Sequence, residues 1–386
     1  MMHPKTTHKR NDILEIHVLG AGKGESIVIG WPENRWGVVD CYSPSLKNPS
    51  LNPTLQFLRE KGVNELEFLC LTHPHDDHFR GMSHLLDHLR VNHFWRFSTL
   101  SGRDLRNIVR CMEIEANLSA TDDLLESVND LSYTLTRVNT LREEKRIKQQ
   151  MVVGKQALYP IPHDNAATFQ VWSFAPTGDQ AASYEQKMLQ CFDENGFFRR
   201  DCSVPHNEIS VGLVLHFGTT RVLLCGDLER NAWKAVLDQN SEELLAAQVI
   251  KVAHHGSQSG LIDGLWERMS RHEPPLAIIA PYRRFKLPET VATENILNHV
   301  SALMLTCDTD PKSLRLGEGN ERESREFLKN KHRTNDGSST QVCGRCSVHL
   351  DTEGRILFHD CVGPAWLIPG RRENRFELNK HEIPRE

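Results

Sequence analysis

Between Leu66 and Met82 the sequence passes from an apolar run, LEFLCL, directly into THPHDDHFRGM. An apolar run of this length with polar flanks reads as a buried strand. The continuation places three histidines and two aspartates within six residues, His73 to His78, at the end of that strand. In extended chain, residues two apart point the same way, and Pro74 biases His73 toward extended geometry. His73 and His75 can therefore reach one ion together. The chain then turns, so that Asp77 and His78 can face a neighbouring position. Imidazole nitrogens and carboxylate oxygens suit Zn²⁺, with Mn²⁺ or Fe as alternatives.

The strand pattern recurs. ILEIHVLGAGKGESIVIG (13–30) reads as two strands around a glycine-rich turn. FQVWSFAP, EISVGLVLHFG, TRVLLCGDLE, AQVIKVAHHGS and LAIIAPY read as further strands, and CSVHLDTEGRILFHD as a hairpin. NPTLQFLREKG, with Gly62 as its stop, and MSHLLDHLR read as helices. This alternation predicts an α/β layered core. GAGKGES is not a phosphate loop: Lys23 is followed by Gly24, and the glycines at 20, 22 and 24 miss the dinucleotide spacing. Those glycines instead suit a tight turn or a close approach to a site. We read 1–386 as a single domain. It carries a charged helical insertion or cap over 101–160, a polar surface excursion over 309–341 and a charged tail over 371–386.

Composition narrows the function. A net charge of −5 excludes a surface that attracts nucleic acid as a whole, so any polyanion must meet a local patch or the metals. No apolar run approaches the roughly 20 residues of a membrane helix. MMHPKTTHKRND has no signal-like apolar core, so the expectation is a cytoplasmic protein with no membrane partner. The ten cysteines, several inside apolar runs, read as reduced core thiols. The lone C-x-x-C, Cys343 to Cys346, reads the same way; a structural zinc with Cys307 and Cys361, or His332 and His359, is the weaker reading. Trp95, Trp172 and Phe217 read as core. There is no G-x-S-x-G elbow to supply a serine nucleophile.

His73, His75, Asp77 and His78 match the H-x-H-x-D-H signature of the metallo-β-lactamase-fold hydrolases, in the family's place after a buried strand and before GM and a helix. LLCGDLE resembles the strand end carrying the family's metal-bridging aspartate, and VIKVAHHGS the one carrying its last histidine. The HHGS form, with GKGESIVIG, VVDC and HNEIS, resembles most the ComEC-type branch. The resemblance covers roughly 13–100 and 165–290. It implies a four-layer αββα sandwich with two divalent transition-metal ions, Zn²⁺ first and Mn²⁺ or Fe next. By that resemblance His73, His75 and His206 hold one ion and Asp77, His78 and His255 the other. Asp227 bridges them, Asp77 orients the nucleophile, and His254 is second to the ligands or faces substrate. Two alternatives stay open. Asn207 and Ser210 match an asparagine-and-serine pattern that would leave His206 a bystander, with His163 in reserve, and either of His254 and His255 could be the ligand.

Where the related branch often has a histidine before proline, this chain has Leu287, with Arg283, Arg284 and Lys286 nearby. Those cations suit phosphate oxygens, or form a solvated basic loop. The resemblance, this loop, REEKRIK (142–148) and Arg199-Arg200 together favour a phosphodiesterase or nuclease acting on nucleic acid or nucleotides. Such an enzyme uses a hydroxide generated between two metals. The alternatives are a small-molecule hydrolase, such as a lactonase or phosphoester esterase with the insertion as a lid, and a non-catalytic binding or regulatory protein. The sequence names no protein partner.

Overall fold

The expected strands form where β-branched and aromatic residues alternate or run together, and they assemble into two sheets. The computed structural model describes residues 12–98, 122–161, 168–194, 199, 202, 204–239, 245–270, 273–307 and 343–371. The first half contributes Leu14–Gly20 (β1), Glu25–Trp31 (β2), Arg35–Val39 (β3), Glu65–Leu71 (β4), Arg90–Phe97 (β5) and Lys148–Val152 (β6). Gln156–Tyr159 (β7), Phe169–Ala175 (β8), Gly212–Phe217 (β9), Thr220–Leu224 (β10), Val249–Lys251 (β11), Leu276–Ile279 (β12) and Ala302–Leu305 (β13) follow. Gly344–Leu350 (β14), Ile356–Val362 (β15) and Trp366–Pro369 (β16) complete the strands. One eight-stranded sheet has the order β15-β14-β1-β2-β3-β4-β5-β6; the other, also eight-stranded, has the order β16-β13-β12-β11-β10-β9-β8-β7. Both are mixed: β3 to β6 run parallel in the first, and β10 to β13 in the second.

The two inner faces share one core. Ile16, Ile29, Val38 and Phe68 of the first sheet cluster with Val171, Leu215, Val222 and Met304 of the second. Helices Pro53–Glu60 (α1), Asp76–Phe79 (α2), Met82–His88 (α3) and Asp122–Glu143 (α4) belong to the first half. Leu55, Leu58, Leu85 and Leu131 from this set join the same cluster. A second cluster packs Leu223, Ile250 and Leu303 of the other sheet on Trp233 of Arg230–Gln239, Trp266 of Leu265–Met269 and Ile296 of Thr290–Leu297. Gly178–Gln190 is α5, and these last three helices are α6, α7 and α8. The result is the αββα sandwich that the resemblance implies. Trp95 and Phe217 are fully buried core residues, and Trp172 is half-buried and packs against the second cluster.

Three differences from the sequence reading stand out. The stretch read as a helical cap ends in strands: β6 extends one sheet and β7 the other. Both are short sheet-edge strands, KQQMV and QALY, with too few apolar residues to announce themselves. Residues 101–121 of that stretch, the excursion at 309–341 and the tail after Arg371 lie outside the described residues. The helix α4 packs on α2 and α3 through Asp130, which accepts the Gly81 N–H at 2.7 Å and the Ser83 hydroxyl. The cysteines are not all reduced either. Cys191 and Cys202 form a disulfide, their Cα atoms 5.3 Å apart and so within bridging reach. The end of α5 and the loop after it bring together two positions that their spacing in sequence does not pair. Cys41, Cys70, Cys225 and Cys343 are free thiols. Among the described residues, no cysteine joins a cluster of three or more donors.

Candidate metal centre

Parallel strands of both sheets end at one rim of the sandwich. There β4 runs on into Thr72 and His73, β10 into Gly226 and Asp227, and β11 into His254 and His255. A backbone hydrogen bond from Val211 N–H to Thr72 O, 3.1 Å, ties the two sheets at this rim.

The predicted ligands fall into two adjoining groups of donor atoms. His73, His75 and Asp227 make one; Asp77, His78, Asp227 and His255 make the other. In the first, His73 Nε2 lies 3.0 Å from His75 Nδ1 and 3.7 Å from Asp227 Oδ2. In the second, His255 Nε2 lies 2.9 Å from Asp77 Oδ2 and 3.7 Å from Asp227 Oδ2, and His78 Nε2 lies 3.4 Å from Asp227 Oδ1. Asp227 thus touches both groups, one oxygen toward His78 and the other toward His73 and His255. Asp76 belongs to neither group.

His206 stands beside the first group. Its ring centroid is 5.5 Å from that of His75, its Nδ1 is 2.8 Å from the Tyr184 hydroxyl on α5, and its buried Nε2 has no hydrogen-bond partner. Asn207 turns away and donates to Glu229 at 3.2 Å. Ser210 Oγ accepts the Asp227 N–H at 2.8 Å. His163 lies outside the described residues.

A second layer orients these side chains. Asp40, at the end of β3, is 2.7 Å from His78 Nδ1 and accepts the Thr72 N–H and hydroxyl at 2.8 and 2.7 Å. The Thr72 hydroxyl is also 3.0 Å from His73 Nδ1. His255 Nδ1 lies 2.8 Å from the Ala280 carbonyl and 3.4 Å from Glu25, which is itself paired with the fully buried Lys251. Asp40 (φ 58°), His254 (46°) and His255 (51°) all sit in the left-handed region. That conformation costs a non-glycine residue of order 1–3 kcal/mol and clusters at functional sites.

The electrostatics match a cation site. Burial holds His73 well below the usual imidazole range and His206 down to about 3, so these rings are neutral donors. Burial also acts against charging His78, but Asp227, Asp77 and Asp40 outweigh it and raise its pKa well above the usual value. Burial opposes ionisation of Asp77, yet His78 and His255 pull it down to about 2. Buried carboxylates and imidazoles this close need positive charge among them. Three buried donor atoms, His78 Nε2, Asp227 Oδ1 and His206 Nε2, have no hydrogen-bond partner. They are the atoms a metal ion would take, and the donor set fits divalent transition metals.

His254 is half-buried and outside both groups. Its Nδ1 is 3.1 Å from Glu229 and 3.0 Å from Ser259 Oγ, and its Nε2 is 4.0 Å from Asp227. Arg283, Arg284 and Lys286 are exposed on the turn after β12. The turn adjoins the site through Tyr282, whose ring is 5.3 Å from that of His255. The glycine-rich turn also reaches the site: a Cβ on Gly24 would lie 2.6 Å from the Asp77 carbonyl, and one on Gly22 2.9 Å from Arg283.

Sequence reasoning assigned no role to Glu25, Asp40, Glu229, Lys251 or Tyr184. For Glu25 and Lys251 the available signal was a charge inside an apolar strand, which needs a buried partner. Asp40 closes the apolar run GVVD in the same way.

No protein-family model and no curated protein matches this chain. Among solved structures it is similar to a CmlA β-hydroxylase variant, at 14% identity over 69% of this chain and 39% of that one, TM-score 0.32. It is similar to an archaeal metallo-β-lactamase superfamily protein from Sulfolobus tokodaii, at 11% identity over 84% and 88% of the two chains, TM-score 0.29. It is also similar to a long-form RNase Z from yeast, at 14% identity over 85% and 45%, TM-score 0.38. The chain therefore spans less than half the length of the first and the third.

Proposed function

We propose that this protein is a dinuclear metal-dependent hydrolase acting on phosphodiesters. The observation that carries the reading is Asp227, one carboxylate shared by two adjoining donor groups. His73, His75 and His206 would hold one ion, Asp77, His78 and His255 the other, and Asp227 would contact both. When bound, such a pair supplies a water that loses its proton near neutral pH and positive charge against a developing oxyanion.

The remaining work belongs to the chain. Asp77 and Asp227, both ionised, are the acceptors that can orient an attacking water. Asp40 and Thr72 hold His78 and His73 in place, and the Ala280 carbonyl fixes the ring of His255. His254, oriented through Nδ1 by Glu229, brings Nε2 to 4.0 Å from Asp227 and can give a proton to the leaving oxygen. Arg283, Arg284 and Lys286 offer cations to the non-bridging phosphate oxygens, which favours a phosphodiester over a neutral ester.

Turnover of single-stranded DNA, duplex DNA, RNA, cyclic dinucleotides and lactones under Mn²⁺ and Zn²⁺ tests this. We expect phosphodiester cleavage, two tightly held ions per chain, and loss of both in Asp227→Ala and His75→Ala with the fold retained. Wild-type turnover in both variants would show that the site is misassigned. Hydrolysis of lactones alone would rule out the phosphodiesterase.

A further inference from the structure

A second cluster of metal-type donors lies away from the rim, on the face of the first sheet covered by α1. Glu15 and His17 are two apart on β1 and therefore share a face; His349 on β14 is directly opposite Glu15 in the register. Glu15 Oε2 lies 3.1 Å from His17 Nε2 and 3.5 Å from His349 Nε2. All three residues offer an atom within 4.8 Å of the others. Two donors bound at about 2.0–2.1 Å to a tetrahedral Zn²⁺ stand roughly 3.3–3.4 Å apart, so these separations are those of ligands around one ion. None of the three belongs to the groups around Asp227.

The surroundings support the same reading. Trp36 and Phe57 wall the cluster, with ring centroids 6.4 and 4.6 Å from that of His17. Ser347 Oγ lies 2.9 Å from His17 Nδ1. A hydroxyl can accept from that nitrogen as readily as donate to it, so the ring proton can move to Nδ1 when an ion takes Nε2. Burial lowers the pKa of His17 to about 4 and lowers that of His349 too, which keeps both rings neutral. Burial opposes ionisation of Glu15, but the His17 hydrogen bond, then Lys61 and the other charges, bring it down to about 2. The positive charge the cluster calls for is supplied by Lys61, whose Nζ is 3.2 Å from Glu15 Oε2. That side chain is 30% exposed at the C-terminal end of α1, where it can swing into solvent.

We propose that Glu15, His17 and His349 form a separate, mononuclear site for a divalent transition metal of the Zn²⁺ type, with the Lys61 ammonium as the group the ion displaces. Two histidines and a carboxylate leave a fourth position for water. The scaffold is rigid because two of the ligands are held by one register pair of adjacent strands. Competition from Lys61 makes this site weaker than the one at the rim.

The test is calorimetric titration of the full-length protein with Zn²⁺ after its tightly held ions are loaded. We expect one further Zn²⁺ per chain. Its affinity should fall by about tenfold or more in Glu15→Gln and His349→Gln, and rise in Lys61→Gln. Hydrolysis should be unchanged in all three variants. Equal uptake by wild type and Glu15→Gln, or no gain in Lys61→Gln, overturns the proposal. Imidazole NMR of the wild-type protein gives a readout that needs no variant to fold. The His17 and His349 ring signals should shift on addition of one Zn²⁺, and signals that stay in place overturn it as well.

Discussion

Asp40 shows how much of the site depends on residues that cannot touch a substrate. Its carboxylate accepts from Thr72 on one side and meets His78 Nδ1 on the other. It is fully buried, and burial raises its pKa against the pull of His78 and Thr72. Asp40→Asn keeps the shape but removes the charge behind the His78 ring. Loss of such a partner typically costs 10–100-fold in metal affinity or activity, and we expect about that loss here. Metal dissociation and kcat, measured on the same preparation, check it, with the thermal midpoint showing that the fold survives. The left-handed backbone of Asp40, His254 and His255 belongs to this scale too. The sequence marks His254 and His255 as a pair of candidates. Only their conformation separates them, turning His255 into the donor group around Asp227 and His254 toward Glu229.

At the scale of elements, the site is a set of strand ends pressed against one turn. The GAGKGES turn between β1 and β2 runs so close to α2 that a methyl group on Gly24 would meet both the Asp77 carbonyl and the Tyr42 ring. Gly24→Ala must push α2 or Tyr42 aside. Overpacking of this kind costs typically 1–3 kcal/mol. Because Asp77 rides on α2, we expect a loss of turnover alongside that loss of stability. Denaturant unfolding and activity of the one variant measure both. Turnover at the wild-type level would show that the turn does not set the position of Asp77. The helix α4 tells a related story: its charged sequence suggested a cap, and its described residues dock on α2 and α3 through Asp130. A helix that is polar on much of its surface looks the same in sequence whether it closes over a site or buttresses it. The difference lies in where Asp130 lands.

For the molecule as a whole, the donor groups draw on both sheets, so an ion bound there would be coupled to their association. Carboxylates and histidines from both sheets converge on Asp227, and positive charge between them stabilises the folded state alone. Ligand held at 100 times its dissociation constant adds about 2.7 kcal/mol. We therefore expect chelation to lower the thermal midpoint by several degrees, and Asp227→Ala to respond less. Melting curves with and without chelator check this; identical midpoints would mean that the rim holds no ion of consequence. The strands, their α/β alternation and the donor residues at their ends were legible in the amino-acid sequence, because burial imposes a periodicity of two and metal chemistry restricts residue type. Histidine spacing within HPHDDH separated His73 and His75 from Asp77 and His78 for the same local reason. Tertiary structure alone decided the rest. Pairing His17 with His349 and Glu25 with Lys251 depends on which strands become neighbours. That is set by the closing of the core over hundreds of residues, and no local pattern encodes it.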